Sequence, residues 1–314
     1  MSAANSVAGP LAVAILGPTA SGKSTLGMAL AEALGGEILA CDSMQVYRGM
    51  DIGTAKPGAA ERAAVPHHLL DLVSPDEQFH AAAWAAEAHK VIKEVEAHGR
   101  LPIIVGGTGL YYRALVRGLF EAPRPDKEIR ARHLAEAEEK GVPSLHERLR
   151  AVDPEAAAHI LPGDLVRTSR ALEVYEQTGI TITELRRRKA VAPPPLRLFS
   201  VLLDFDMAHL RPRIAERVDS MMAAGFLAEV QGLRASGYSH ARSMRALGYK
   251  QLGQHLDGLL SLADAVTAIK SATAAYARRQ RTWFRREQIR LRTQELLRPS
   301  ALAGLIRGWM ADEC

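Results

Sequence analysis

The chain has 314 residues, of which 47% are hydrophobic and 24% charged, a composition typical of a globular protein with one large or two modest cores. No apolar run has the length of a membrane span, and residues 1–10 lack the pattern of a signal peptide, so we expect a cytoplasmic protein without membrane contact. Two cysteines, Cys41 and Cys314, exclude a disulfide framework, while a net charge of +5 favours a polyanionic partner.

The first strong pattern is an apolar strand run at 11–16, followed by Gly-x-x-x-x-Gly-Lys-Ser and a helical apolar pattern. In such a strand-loop-helix unit, successive backbone N–H groups point at the helix N-terminus, where the helix dipole favours an anion. The loop therefore predicts a polyphosphate site, with Lys23 as a charge on the terminal phosphates and Ser24 as a Mg²⁺ ligand. The predicted binding residues are Gly17, Pro18, Thr19, Ala20, Ser21, Gly22, Lys23 and Ser24.

Strands and helices alternate in the following segment. The patterns predict a strand at 36–40, a helix at 81–98 and a buried strand at 101–105. This alternation indicates an α/β fold with a parallel sheet, in which ligands collect at the carboxyl ends of the strands. The predicted ends are Leu16, Ala40 and Val105.

Proline-rich stretches at 123–125 and 193–195 enclose a charged, helical segment. We interpret this segment as a helical insertion, because no strand pattern interrupts it. A returning strand at 198–203 and long helices follow it. The predicted domains are a core of residues 1–123 and 191–314 and an insertion of residues 124–190.

Polar residues directly follow the second and third predicted strands. Asp42 follows the second strand, and three roles fit its carboxylate: a general base, a Mg²⁺ ligand, or the cap of a turn or helix. Residues 47–57 are rich in glycine and polar residues and too long for a tight turn, which indicates a binding loop. Thr108 in a Gly-Gly-Thr-Gly turn fits either a ligand contact or a helix cap.

Five motifs occur in order along the chain. They are the phosphate loop, Asp-Ser-Met-Gln-Val-Tyr-Arg-Gly-Met-Asp-Ile-Gly-Thr-Ala-Lys-Pro at 42–57, Pro-His-His-Leu at 66–69, Val-Gly-Gly-Thr-Gly-Leu-Tyr at 105–111 and Arg-Ala-Leu-Gly-Tyr-Lys at 245–250. Together they resemble the tRNA dimethylallyltransferases, also called tRNA isopentenyltransferases, of bacterial type. The chain departs from this family at Val166, because the family has a Gln-Arg pair where this sequence has Val166-Arg167.

The resemblance implies a P-loop NTPase-like parallel sheet flanked by helices, with a helical insertion domain that contacts tRNA. It further implies transfer of a dimethylallyl group from dimethylallyl diphosphate to N6 of the adenosine immediately 3′ of the tRNA anticodon, position 37, with release of diphosphate. Adenine N6 is a poor nucleophile, so Asp42 is the candidate base, while Thr19, Lys23 and the cofactor Mg²⁺ stabilise the leaving group. The implied partners are the tRNA anticodon stem-loop and dimethylallyl diphosphate, and we expect a monomer.

The resemblance also assigns contacts with tRNA. The assigned residues are Asp42, Ser43, Met44, Gln45, Thr108, Arg130, Val166, Arg167, Thr168, Ser169, Arg170, Arg245, Ala246, Leu247, Gly248, Tyr249 and Lys250. From the residues alone, Arg130 also fits a solvated helix face in the insertion.

A basic segment lies near the C-terminus, at 276–292. We interpret it as part of the final helix and as a track for RNA phosphates, because it has seven arginines against one glutamate. The arginines are Arg278, Arg279, Arg281, Arg285, Arg286, Arg290 and Arg292. Tyr276, Arg279 and Trp283 fall at helical spacing, so the aromatic residues also fit a core stripe.

Other functions remain open at this point. A P-loop nucleoside or small-molecule kinase would bind ATP at the same loop and use the insertion as a lid. A regulatory RNA-binding module would bind a nucleotide without catalysis, and a relative that prenylates free adenylate would have less need for the basic segment. Consumption of ATP, rather than of a prenyl diphosphate, would distinguish the kinase.

Overall fold

The computed structural model describes residues 9–120, 122–188, 193–295 and 297–313. Contacts between residues divide the chain into two compact units. The first unit comprises the chain up to Val116 and from Pro194 onward, and the second is the segment Arg117–Pro193.

A six-stranded sheet forms the centre of the first unit. Its strands are β1 (Leu11–Leu16), β2 (Gly36–Cys41), β3 (His67–His68), β4 (Leu101–Gly106), β5 (Arg197–Leu203) and β6 (Leu291–Thr293). The order is β3-β2-β4-β1-β5-β6, and all neighbouring strands are parallel, which confirms the predicted fold class. Apolar runs such as Leu-Ala-Val-Ala-Ile-Leu in β1 suit this position, because helices cover both faces of a parallel sheet.

The helices of the first unit follow and flank the strands. They are α1 (Lys23–Leu34), α2 (Ala59–Ala64), α3 (Ala81–Ala97), α4 (Gly109–Arg117), α10 (Met207–Ala223), α11 (Phe226–Ala235), α12 (Tyr249–Leu256), α13 (Leu262–Phe284) and α14 (Pro299–Glu313). Gly35, with φ 63°, ends α1 in the left-handed conformation that glycine adopts without strain. The indole N–H of Trp84 on α3 donates to the Ala40 carbonyl oxygen at 3.1 Å and so anchors α3 to β2.

The second unit contains only helices among its described residues. They are α5 (Lys127–Lys140), α6 (Val142–Val152), α7 (Pro154–His159), α8 (Leu165–Thr178) and α9 (Ile182–Arg187). Asp126 and Asp164 cap α5 and α8, because their carboxylates accept backbone N–H groups of the first turn. The unit has a core of its own around Leu145, Leu149 and Leu172.

Two features differ from the sequence predictions. The short strands β3 and β6 were missed, because each is an edge strand too short to show a periodic pattern. The basic segment is not part of the final helix: α13 ends at Phe284, β6 follows, and α14 is the last helix. Among the described residues, no helix combines the length and hydropathy needed to cross a bilayer.

Candidate active site

A cavity of about 350 Å³ opens at the carboxyl ends of β1, β2 and β4 in the first unit. It receives residues from the phosphate loop, the segment after β2 and the helices α10, α12 and α13. Its polar and charged lining includes Thr19, Lys23, Ser24, Asp42, Ser43, Gln45, Thr54, Arg217, Tyr249, Thr273, Tyr276, Arg279 and Gln280. Its apolar lining includes Met44, Val105, Val218, Met221, Phe226, Ala246, Leu247 and Ile269.

The phosphate loop joins β1 to α1 with two residues in the left-handed backbone region. These are Ala20 at φ 64° and Gly22 at φ 87°. For Ala20 this conformation is strained, which is typical of a backbone that functional constraints hold in place. The Lys23 ammonium donates to the Pro18 carbonyl oxygen at 3.2 Å, and Ser24 lies exposed in the first turn of α1. This curled loop at a helix N-terminus has the geometry that binds phosphates.

Three cations line the cavity: Lys23, Arg217 and Arg279. The sequence pointed to Lys23 as a phosphate ligand and to Arg279 as part of the RNA track, but it did not point to Arg217. Burial and, to a smaller extent, the neighbouring Arg217 charge lower the pKa of Lys23 to about 8, although the Asp42 carboxylate partly offsets them. Arg217 comes from α10 and also lines an adjoining groove. The local pattern does not distinguish it from Arg211 and Arg213 on the same helix, so only the fold identifies it.

Asp42 directly follows β2 and lines the cavity. Its Oδ1 accepts the backbone N–H of Met44 at 2.8 Å, so the carboxylate closes a turn as well as facing the site. Thr108 holds this segment in place, because its hydroxyl oxygen accepts the backbone N–H of Ser43 at 3.0 Å. The Gln45 amide donates to the carbonyl oxygens of Thr54 and Ala55 at 3.1 Å each and thereby holds the binding loop.

Glu229 of α11 ties this loop to α12. Its carboxylate accepts the backbone N–H groups of Asp51, Ile52 and Gly53 at 2.9, 2.6 and 3.1 Å. It also accepts the Tyr249 hydroxyl at 2.6 Å. The sequence analysis missed this residue, because its partners lie far away along the chain.

The Arg-Ala-Leu-Gly-Tyr-Lys motif contributes its middle to the cavity and its ends to the surface. Ala246, Leu247, Gly248 and Tyr249 line the cavity, whereas Arg245 and Lys250 are exposed.

The predicted tRNA contacts of the second unit lie on α5 and α8. Arg130 and Arg170 both pair with Glu173, whose side chain is fully buried. Val166 and Arg167 are exposed at the start of α8. Thr168 and Ser169 are buried, and Ser169 is hydrogen-bonded to the His133 ring at 3.0 Å.

Several arginines of the basic segment contact other residues of the protein. The Arg281 guanidinium donates to Asp204 at 2.9 Å, and Arg292 donates to the Phe284 and Glu287 carbonyl oxygens. Arg290 lies over the Phe199 ring. Arg281 is half-buried, whereas the other six arginines of the segment are exposed. The aromatic residues form no single core stripe, because Tyr276 lines the cavity whereas Trp283 stacks beneath Arg113 at 4.3 Å.

A phosphate loop that shares a cavity with a carboxylate and further cations is typical of the P-loop class of phosphate-binding proteins. The family model for IPP transferase matches residues 45–287. The chain belongs to this family.

Relatives and solved structures agree with this assignment. The chain is 49% identical over 290 residues to a tRNA dimethylallyltransferase of Symbiobacterium thermophilum, which covers 92% of this chain and 90% of the relative. It is 50% identical over 278 residues to one of Roseiflexus castenholzii, covering 87% and 89%. A tRNA isopentenylpyrophosphate transferase structure from Bacillus halodurans matches with a TM-score of 0.67 at 37% identity, covering 97% of this chain and 96% of that one.

One solved structure of lower sequence identity concerns the RNA substrate. It shows a eukaryotic dimethylallyltransferase acting on tRNA and matches with a TM-score of 0.72 at 27% identity, covering 88% of this chain and 70% of that one. The resemblance drawn from the five motifs is confirmed, and the kinase alternative finds no support.

The lowered pKa of Lys23 predicts a pH-dependent affinity for diphosphate esters. Lys23 carries its charge below about pH 8 in the free protein. A bound diphosphate would raise this pKa, because a nearby negative charge favours the protonated amine. Affinity for methyl diphosphate should therefore stay constant below that pH and weaken by up to about tenfold per pH unit above it. Calorimetric titrations from about pH 7 to about pH 9.5 measure this.

Lys23→Arg is the matched control, because arginine stays protonated throughout this range. Its affinity should be independent of pH. A parent protein with the same flat profile as Lys23→Arg would contradict the assignment of Lys23 as the titrating phosphate ligand.

Proposed function

We propose that this enzyme transfers a dimethylallyl group from dimethylallyl diphosphate to N6 of the adenosine immediately 3′ of the tRNA anticodon, with release of diphosphate. The observation that carries the proposal is that Asp42 and the phosphate loop line one cavity. The names of the relatives support tRNA as the acceptor and dimethylallyl as the transferred group.

The leaving group occupies the phosphate loop. As the allylic C–O bond breaks, its electron pair departs with the diphosphate, which gains negative charge. Lys23 and Arg217 face this charge, together with the Thr19 hydroxyl and the amides at the start of α1. Apolar neighbours such as Val218 and Ile269 limit solvent, which strengthens these interactions.

The oxygen donors beside the loop fit Mg²⁺. Ser24 supplies a hydroxyl and Asp42 a carboxylate within the same cavity. Mg²⁺ prefers oxygen ligands and is often held by one or two protein groups plus substrate phosphates. Ser24 would hold the ion, and when bound it would neutralise part of the charge on the departing diphosphate.

The acceptor amine lies against Asp42. The Met44 N–H fixes one carboxylate oxygen, so Asp42 can take the N6 proton as the C–N bond forms. The adenine must leave the anticodon stack to reach this position. Exposed Arg245 and Lys250 flank the cavity-lining stretch and would hold the RNA backbone around the extruded base.

The second unit would contact the same RNA through its exposed groups. Val166 and Arg167 are exposed, and Glu173 presents the guanidinium groups of Arg130 and Arg170 as a fixed pair. Because Thr168 and Ser169 are buried, we expect them to support α8 rather than to touch RNA directly. Thr108 would act similarly, by holding Ser43 and its neighbours in place. A cytoplasmic location and a monomeric state remain predictions that accompany this proposal.

The reaction itself provides the test. The protein, unmodified tRNA, Mg²⁺ and dimethylallyl diphosphate, without ATP, should yield prenylated adenosine by nucleoside mass spectrometry. Inorganic diphosphate should appear in equal amount. ATP-dependent phosphorylation of a small molecule, with no prenylated adenosine, would refute the proposal in favour of a kinase.

The role of Asp42 as the base predicts a large effect of a nearly isosteric change. Asp42→Asn should fold and bind tRNA but lose about 10²- to 10⁴-fold in single-turnover rate, because the amide accepts no proton. Rapid-quench measurement with saturating donor reads this rate directly. A rate within about threefold of the parent would exclude Asp42 as the base.

The exposed arginines after the cavity predict a change in salt dependence. Neutralising Arg278, Arg285 and Arg286 to glutamine should weaken tRNA binding and reduce the slope of log K against log salt by about 0.7 to 0.9 per lost phosphate contact. The matched control neutralises three exposed cations elsewhere: Lys90, Lys93 and Arg100. Equal slopes for the two triple variants would show that these arginines do not bind phosphates.

A further inference from the structure

The side-chain amide of Gln280 joins the phosphate loop to the turn that follows β4. Gln280 lies on α13 and is only 5% exposed. Its Oε1 accepts the backbone N–H of Thr19 in the phosphate loop at 2.8 Å. Its Nε2 donates to the carbonyl oxygen of Gly107, after β4, at 2.9 Å.

The two residues that bond to Gln280 lie on the donor side and on the acceptor side of the proposed reaction. Thr19 lies in the loop that would hold the leaving diphosphate. Gly107 precedes Thr108, whose hydroxyl holds the Ser43 N–H beside the proposed base. One planar amide therefore connects the donor loop to the acceptor segment.

The bonds also fix the backbone at a strained point. The Thr19 N–H points at Gln280, and the next residue, Ala20, has a φ of 64°. A carboxamide suits this position, because its oxygen accepts and its nitrogen donates at the same time. A methionine of similar length would do neither.

Close packing gives an independent indication. A Cβ at Gly107 would lie 2.3 Å from Gln280 Nε2 and 2.9 Å from the Gly17 carbonyl oxygen. A side chain at position 107 would therefore displace the amide.

We propose that Gln280 is a positioning residue that sets the separation between the diphosphate loop and the acceptor segment, an inference that rests on the proposed function. Its amide bonds to backbone atoms of both loops, so its effect on the reaction is indirect. Its loss misaligns the two substrates, which slows the chemical step more than it weakens the binding of either.

Gln280→Met removes both hydrogen bonds at nearly constant volume. We expect the single-turnover rate to fall by about 10- to 100-fold, while the affinities for methyl diphosphate and for tRNA change by less than about threefold. Gly107→Ala displaces the amide without altering Gln280, and because its Cβ also presses on the Gly17 carbonyl oxygen, it should slow the reaction at least as much. Because both changes break one bridge, the double variant should be no slower than the slower single variant.

Two further measurements separate positioning from general damage. Ile306→Val, in the core away from the cavity, is the control for a loss of stability and should keep the parent rate. Amide hydrogen exchange at Thr19 should accelerate in Gln280→Met, because its acceptor is gone; this readout requires no turnover.

The outcomes distinguish this inference from the proposed function. A parent protein that forms no prenylated adenosine refutes the function itself. An active parent whose Gln280→Met variant keeps its rate, or loses mainly diphosphate affinity, overturns the positioning role. Unchanged hydrogen exchange at Thr19 also overturns it, whether or not the parent is active.

Discussion

The candidate site depends on the level at which three parallel strands end. Leu16 of β1 and Cys41 of β2 both pair with Gly106 of β4, so the segments that follow these strands begin side by side. A Cβ at Gly106 would lie 2.1 Å from the Cys41 carbonyl oxygen, so this approach requires glycine. The phosphate loop, the Asp42 segment and the Gly-Gly-Thr-Gly turn meet for this reason.

The charges that line this cavity favour a polyanionic ligand. The positive charge of Arg217 lies close enough to repel that of Lys23, and burial lowers the pKa of both groups. Asp42 relieves this repulsion only in part. An anionic diphosphate would relieve it further, because it adds negative charge where two partly desolvated cations meet. The same carboxylate, under the proposed function, would accept a proton from the incoming amine.

Two side chains from the later part of the chain hold the early loops in place. The Glu229 carboxylate accepts hydrogen bonds from three backbone N–H groups of the binding loop and from the Tyr249 hydroxyl. Gln280 joins Thr19 to Gly107. In both cases one planar group satisfies several backbone atoms, which restricts the loops more strongly than separate contacts would.

Local sequence determined the parts of this protein whose residues are contiguous. The strand run before Gly17, the loop and the start of α1 could be predicted, since one short segment contains their pattern, and Asp42 followed from its place after a strand. In contrast, β3 and β6 are too short to be periodic. Arg217, Glu229 and Gln280 required the tertiary structure: Gln280 bonds to partners 173 and 261 residues away. Such contacts leave no local period, so the sequence determined where a phosphate site is predicted, and only the fold decided which distant side chains line or hold it.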